Sequence, residues 1–167
     1  MSMIGNLVRL CDEAIGMLHA DPDRIFDAIY PDDGGEPFEY PVDVADKADI
    51  DKSWHMIHFM LTGSDWEGEF PAGFLVANGK TVGEVDIGYG PARSFSSEET
   101  KSILQHLNGV SEAELRAGFK REDLARLNIY PNVWDDDSRV EEFRDEAEAN
   151  LDEIKQFLEV TVERGWA

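Results

Sequence analysis

Residues 138–164 read SRVEEFRDEAEANLDEIKQFLEVTVER. Phe143, Ala147, Leu151, Ile154, Leu158 and Thr161 recur there at three- and four-residue spacing, which places them on one face of a helix. The other faces carry the acids. The stretch predicts a long final helix, from about Ser138 to Arg164, with one buried stripe and the rest in water. A stripe of that length needs a packed layer to cover it, so the preceding residues must build a core.

Those preceding residues supply short elements. Ile129-Tyr130-Pro131 breaks a short helix expected over Arg121 to Leu127. Ser111 with Glu114, ahead of Leu115, has the form of a capping box, as does Ser96 with Glu99, ahead of Ile103, Leu104 and Leu107. Val85–Ile87 and Ala92–Phe95 read as short strands on either side of Gly88-Tyr89-Gly90-Pro91. Phe74-Leu75-Val76-Ala77 followed by Asn78-Gly79 reads as a strand entering a hairpin turn. A third helix is expected from a cap at Asp51 to about Leu61, with Trp54, Ile57, His58 and Leu61 on one face and Gly63 at its C′ position. Residues 32–49, with Gly34, Gly35, Pro37 and Pro41 among several acids, read as a loop. Asp21-Pro22 marks the start of a helix whose apolar face is Ile25, Phe26 and Ile29, ended by Pro31. Asp12 reads as the cap of a helix carrying Ile15, Met17 and Leu18, and Met3–Leu10 as a first strand. Short strands mixed irregularly with more helix predict one α+β domain over residues 1–167. In it a small, mostly antiparallel sheet packs with several helices and the long final one.

The chain has 167 residues, 42% of them hydrophobic, enough to bury a core without a disulfide or metal staple. Its one cysteine, Cys11, cannot form an internal disulfide and reads as a buried apolar residue rather than a nucleophile. The first residues, MSMIGNL, lack a basic segment followed by a long apolar run, so no signal peptide is expected. No apolar run is long enough to span a bilayer. A cytoplasmic location is expected.

Net charge decides the class of partner. Acids outnumber bases 36 to 15, giving -21. Phosphate backbones and anionic membranes repel such a surface, so neither nucleic acid nor membrane is an expected partner. A basic protein is. The acid is also unevenly spread. Residues 21–51 hold eleven acids against Arg24 and Lys47, and residues 135–159 hold eleven against Arg139, Arg144 and Lys155. Acid runs are commonly solvated faces that keep a protein soluble. Two concentrated runs make a docking surface only if they meet in space.

Candidates for chemistry are few. His55 and His58 lie three apart on a helix, one turn from Asp51, a spacing open to chelation. No third histidine, HExxH or cysteine pair accompanies them, so no metal is expected. Gly88-Tyr89-Gly90 begins like a dinucleotide fingerprint, but Arg93 stands where the third glycine belongs. No cofactor is expected, and a tight turn approaching the third helix fits better. Asp135-Asp136-Asp137 lacks the glycine and distal glutamate of a calcium loop and reads as the lead into the last helix. One amphipathic set remains: Trp54, His58, Tyr89, Arg93, Tyr130 and Trp134. These side chains either form core with satisfied polar tips or line a pocket for a small ligand.

Several of these stretches together resemble one family. They are Met3-Ile4-Gly5, Asp51-Lys52-Ser53-Trp54 with Ile57-His58 and Leu61-Thr62-Gly63, then Gly88-Tyr89-Gly90-Pro91-Ala92-Arg93. Glu114-Leu115-Arg116 with Phe119, and Ile129-Tyr130-Pro131, complete the set. In that order, over most of the chain, they resemble the YfbM-like bacterial domain, a family of unknown function. The resemblance implies a single α+β domain in a bacterial cytosol and no established activity. Family members continue past the final helix into an apolar strand, where this sequence has Arg164-Gly165-Trp166-Ala167.

The expected function is therefore binding rather than catalysis. The sharpest form is an immunity or inhibitor protein that neutralises a basic, possibly nucleic-acid-targeting, bacterial toxin domain by occluding its active site. Asp32, Asp33, Glu36, Glu39, Asp135, Asp136, Asp137, Glu141 and Glu142 are the expected contact residues. The alternative is a small-ligand protein or enzyme using the aromatic, His58 and Arg93 group.

Overall fold

The computed structural model of the chain describes residues 3–31 and 34–167. Strand β1 (Asn6–Val8) leads into helix α1 (Asp12–Ala20) and, through a 3-10 turn at Pro22–Arg24, helix α2 (Ile25–Ile29). A 3-10 turn at Val44–Asp46 precedes strand β2 (Lys47–Asp49), and another at Asp51–Ser53 feeds helix α3 (Trp54–Thr62). Strands β3 (Lys80–Asp86) and β4 (Pro91–Ser94) follow. Helices α4 (Ser97–Gly109), α5 (Glu112–Gly118), α6 (Arg121–Arg126) and α7 (Asp137–Glu163) complete the α+β domain.

The strands form two separate antiparallel ladders rather than one sheet: β1 with β2, Asn6 opposite Asp49, and β3 with β4, Lys80 opposite Ser94. Leu10, just beyond β1, exchanges both backbone hydrogen bonds with Ala167, each at 2.9 Å. Residues 166–167 thus return to the start of the chain.

Helix α3 is the centre. The stripe expected at Trp54, Ile57, His58 and Leu61 is not one-sided: His55, Met56, Ile57, His58, Phe59 and Met60 are all buried. Packed against α5 and α7, α3 has no solvent face over these residues, so helical periodicity carries no signal there. All six expected stripe residues of α7 are buried, and Phe143, Leu151, Ile154 and Leu158 each contribute about 2 kcal/mol. A second, smaller cluster joins α1, α2 and β3 through Ala14, Leu18, Ile25, Ala28, Phe38 and Val82. Cys11 is half-buried at its edge, not fully enclosed as expected.

Local signals held where the chemistry was local. Both capping boxes form, Ser96 with Glu99 and Ser111 with Glu114. Gly63 ends α3 in the left-handed region, at φ 73°. Other expectations need correction. The first strand is only Asn6–Val8. Asp12 lies inside α1, whose N-cap is Cys11, and its carboxylate instead accepts from Ser97 N at 3.0 Å and Ser97 Oγ at 2.7 Å. Asp51 does not cap α3: at φ 41° it is left-handed, not in the extended conformation a cap requires. On the second helix Phe26 faces solvent and Ala28 is buried in its place. Residues 32–49 are not wholly loop, since they contain the Val44–Asp46 turn and β2.

The largest correction concerns Phe74–Ala77. These residues coil instead of forming a strand, and Asn78-Gly79 is not a hairpin turn. The Gly73 carbonyl accepts from Val76, Ala77 and Asn78. The Arg93 guanidinium donates to the carbonyls of Leu75 (2.5 Å), Val76 and Asn78 (3.0 Å). Carbonyls that would pair with a strand are already taken. The hairpin turn lies instead at Ile87–Gly90, where Asp86 accepts from Gly88 N at 2.7 Å and Gly90 N at 2.9 Å. Gly88 and Gly90 take φ of 144° and 96° with nothing packed against them. That tip faces outward, so it does not approach α3 as expected. No helix among the described residues is long and apolar enough to cross a membrane.

Candidate functional site

The six residues considered for a pocket do not share one. Tyr89 sits on the exposed β3–β4 tip, 61% accessible. Arg93 is spent on three carbonyls. Trp134 is buried, donates from Nε1 to Ile129 O at 2.6 Å and meets Phe143 edge-on. Trp54, Tyr130 and the histidines do come together. Trp54 stacks on His55 at 4.8 Å and on Tyr130 at 5.9 Å. His55 accepts at Nδ1 from Tyr130 N (3.0 Å), so its Nε2 carries the proton and donates to Asp65 O (2.8 Å). With both nitrogens used, His55 has none left for a metal. His58 donates from Nε2 to Glu67 O at 3.1 Å, and its buried Nδ1 has no partner among the described residues. Burial, and then the neighbouring His55, push the His58 pKa down to about 4. Burial lowers that of His55 as well. Both rings are neutral core groups that tie down residues 64–69.

Two surface grooves among the described residues are lined by none of the six. One, of about 460 Å³, lies among Tyr30, Pro31, Pro41, Val42, Val44 and Lys47. Lys47 places its ammonium 4.7 Å from the Tyr30 ring centre and donates to Ile29 O. The other, about 200 Å³, separates the start of α5 from α7.

The expected contact residues divide between the two hydrophobic clusters. Asp32 and Asp33 lie outside the described residues. Glu36 and Glu39 are exposed on a stretch pinned to the smaller cluster by buried Phe38 and by Arg24, which donates to Pro37 O at 2.7 Å. Asp135, Asp136, Asp137, Glu141 and Glu142 flank Trp134, Val140 and Phe143 of the larger cluster. Several are already engaged. Asp136 caps α7 and is acidified by its bonds to the Ser138 hydroxyl and backbone. Asp137 pairs with Arg121, and Glu141 with Arg144 at 2.5 Å.

The first acidic segment does reach α7, through its other end. Residues 46–53 pack along the helix. Asn150 of α7 donates to Ile50 O at 3.2 Å and to Ser53 Oγ at 2.7 Å. Arg164 pairs with Asp46 at 2.7 Å, and buried Arg9 approaches the same carboxylate at 3.8 Å. Beyond this join lie Asp51, Glu142 and Glu146. The pKa of Glu146 is raised by burial first, then by the charge of Asp51, with Glu142 adding to it and Lys52 opposing. Among the described residues no ion pair engages Asp51, Glu142 or Glu146. This seam, with Asp51 and Glu146 in it, was missed from the sequence. The signal for it was Asn150, a polar residue one position before the buried stripe residue Leu151.

Trp66 was also missed. It is 56% exposed, rests on His55 at 4.5 Å and lies 6.2 Å from Trp54. The signal was an aromatic residue among Asp65, Glu67 and Glu69, with no Lys or Arg anywhere between Lys52 and Lys80.

Comparison with known proteins places this geometry in context. The domain family described as "Domain of unknown function (DUF1877)" matches residues 1–167. A solved structure, that of the protein of unknown function YfbM from Escherichia coli, is similar with a TM-score of 0.72 and 21% identity. The match covers 98% of this chain and 96% of that one, and at that identity it shows the fold. No curated protein matches.

Proposed function

The chain belongs to this DUF1877 family of unknown function, and from that premise we propose that it is a non-catalytic binding protein for a cationic protein partner. One observation carries the reading. Acids from two separate segments, Asp51 on one side and Glu142 and Glu146 on the other, are gathered at one join, where Lys52 only partly offsets them and no ion pair engages them among the described residues. Crowded carboxylates repel each other, so the arrangement costs the free protein stability. A basic partner that neutralises them recovers that energy and gains fast, charge-steered association.

In its sharpest form the protein is a bacterial, cytoplasmic immunity or inhibitor protein. Its partner is a basic toxin domain that acts on nucleic acid, and the acidic seam occupies the surface where phosphates would bind. The test is affinity capture by the tagged full chain from its native bacterium, at low and at moderate salt. It is run beside the Glu142→Lys, Glu146→Lys variant. The expected result is one cationic protein held at low salt, released as salt rises and absent from the variant. The chain should suppress that protein's toxicity on co-expression. Capture of no cationic protein at either salt overturns the proposal.

A further inference from the structure

The loop carrying Trp66 has a second property besides exposure: it is held in place from both sides of the indole. The carbonyl before Trp66 bonds His55 and the carbonyl after it bonds His58, at 2.8 and 3.1 Å. Trp66 N donates to the Asp65 carboxylate at 2.9 Å, and Asn78 donates to Gly68 O at 3.0 Å. Gly68 is required for this path, because a Cβ there would meet Thr62 Cγ2 at 2.8 Å and Gly73 Cα at 3.0 Å. An indole fixed this way lies with one side on His55 while 56% of the residue stays in water. Presenting a large apolar ring to solvent is unfavourable, and holding it there removes the entropy cost of ordering it on binding.

The charge around the ring selects what it binds. Glu67 and Glu69 are exposed and Asp65 half-buried. Among the described residues none of the three is in an ion pair. The indole face carries negative electrostatic potential and attracts a cation, and the carboxylates add to that potential. A guanidinium fits better than an ammonium: it is planar, stacks on the ring, and still points N–H groups at a carboxylate in its own plane.

We infer that Trp66, flanked by Asp65, Glu67 and Glu69, is a preformed anchor for an arginine side chain of a basic protein partner. The inference rests on the reading of the chain as a binder of cationic protein, and it names the contact that gives arginine preference over mere positive charge. Tryptophan and arginine pairs of this kind are frequent energetic centres of protein interfaces.

The experiment measures binding of labelled oligo-arginine and oligo-lysine peptides of equal length to the full chain at low salt. Oligo-arginine should bind more tightly. Trp66→Ala should weaken oligo-arginine about fivefold and oligo-lysine little, bringing the two together. Glu67→Gln with Glu69→Gln, which leaves the ring and its hydrogen bonds in place, should weaken both. Equal unfolding midpoints establish that each variant is folded. An unchanged arginine-to-lysine ratio in Trp66→Ala overturns the anchor. If Glu142→Gln with Glu146→Gln still weakens both peptides in that case, the acidic binder survives without it. If no substitution at either place alters binding, the anchor and the binder fall together.

Discussion

His58 is 0% exposed, with one ring nitrogen bonded and the other unpartnered. Its pKa falls from an ordinary 6.5 to about 4 because burial disfavours the imidazolium. Between those values the unfolded chain takes up a proton that the folded chain refuses. The contribution is therefore fully present above pH 6.5 and is lost as pH falls toward 4, about 3 kcal/mol in all. Urea unfolding at pH 7 and pH 5 should show His58→Gln losing less stability on acidification than the parent. The subtraction removes the shared effect of protonating carboxylates. Equal losses would mean that His58 does not titrate as its burial requires. The position of His58 was legible: its three-residue spacing from His55 put both on a helix. Its role was not, because the carbonyl it serves is that of Glu67, in a loop with no periodic pattern. Arg93 is the same case. What it does is decided by Leu75, Val76 and Asn78, which lie in the coil ahead of β3 and not beside it in the chain.

At the scale of elements, the contact between α3 and α5 is set by a missing side chain. Gly118, the last residue of α5, lies against the backbone of Met60. A Cβ there would fall inside van der Waals distance of Met60 O and 3.1 Å from Met60 C and Cα. Backbone in the middle of a buried helix cannot give way as a side-chain end can. Gly118→Ala should therefore separate the two helices and destabilise the protein by about 2 kcal/mol or more, read as a lowered urea midpoint. A small change would mean that α5 can slide. The same substitution at Gly16, which has nothing within 4 Å and lies in exposed helix, should be neutral or stabilising. Elements with self-contained signals were legible: the two capping boxes, the Gly63 end of α3 and the stripe of α7. β2 was not. Three residues with one buried, Ala48, cannot display alternation, and their pairing with Asn6–Val8 is set by chain more than 35 residues away. The hairpin was placed at Asn78-Gly79 because that dipeptide is the stronger local turn signal. The tie from Arg93 overrode it.

Over the whole molecule, a net charge of -21 opposes compaction, and the opposition is strongest where acids are closest. The sequence showed the two acidic segments. It could not show which end of the first would lie along α7, because that depends on how β2 and the Asp51–Ser53 turn seat against the long helix. The consequence is a conflict between stability and binding at Glu146. Burial and then Asp51 raise its pKa above the ordinary 4.5, so the fold favours its protonated form. That preference stabilises the protein fully below the unfolded value and disappears as pH rises through the folded one. At neutral pH the ionised carboxylate is a net cost. Glu146→Gln keeps the shape and removes the charge, and should gain up to about 0.5 kcal/mol at pH 7 in low salt. The gain should shrink as salt screens Asp51 and Glu142, and vanish near pH 3, where the parent is itself protonated. Thermal unfolding of parent and variant at two salt concentrations and two pH values measures all three. A variant less stable than the parent at pH 7 would mean that Glu146 is paired rather than crowded. The seam would then have no unmet charge to offer a basic partner.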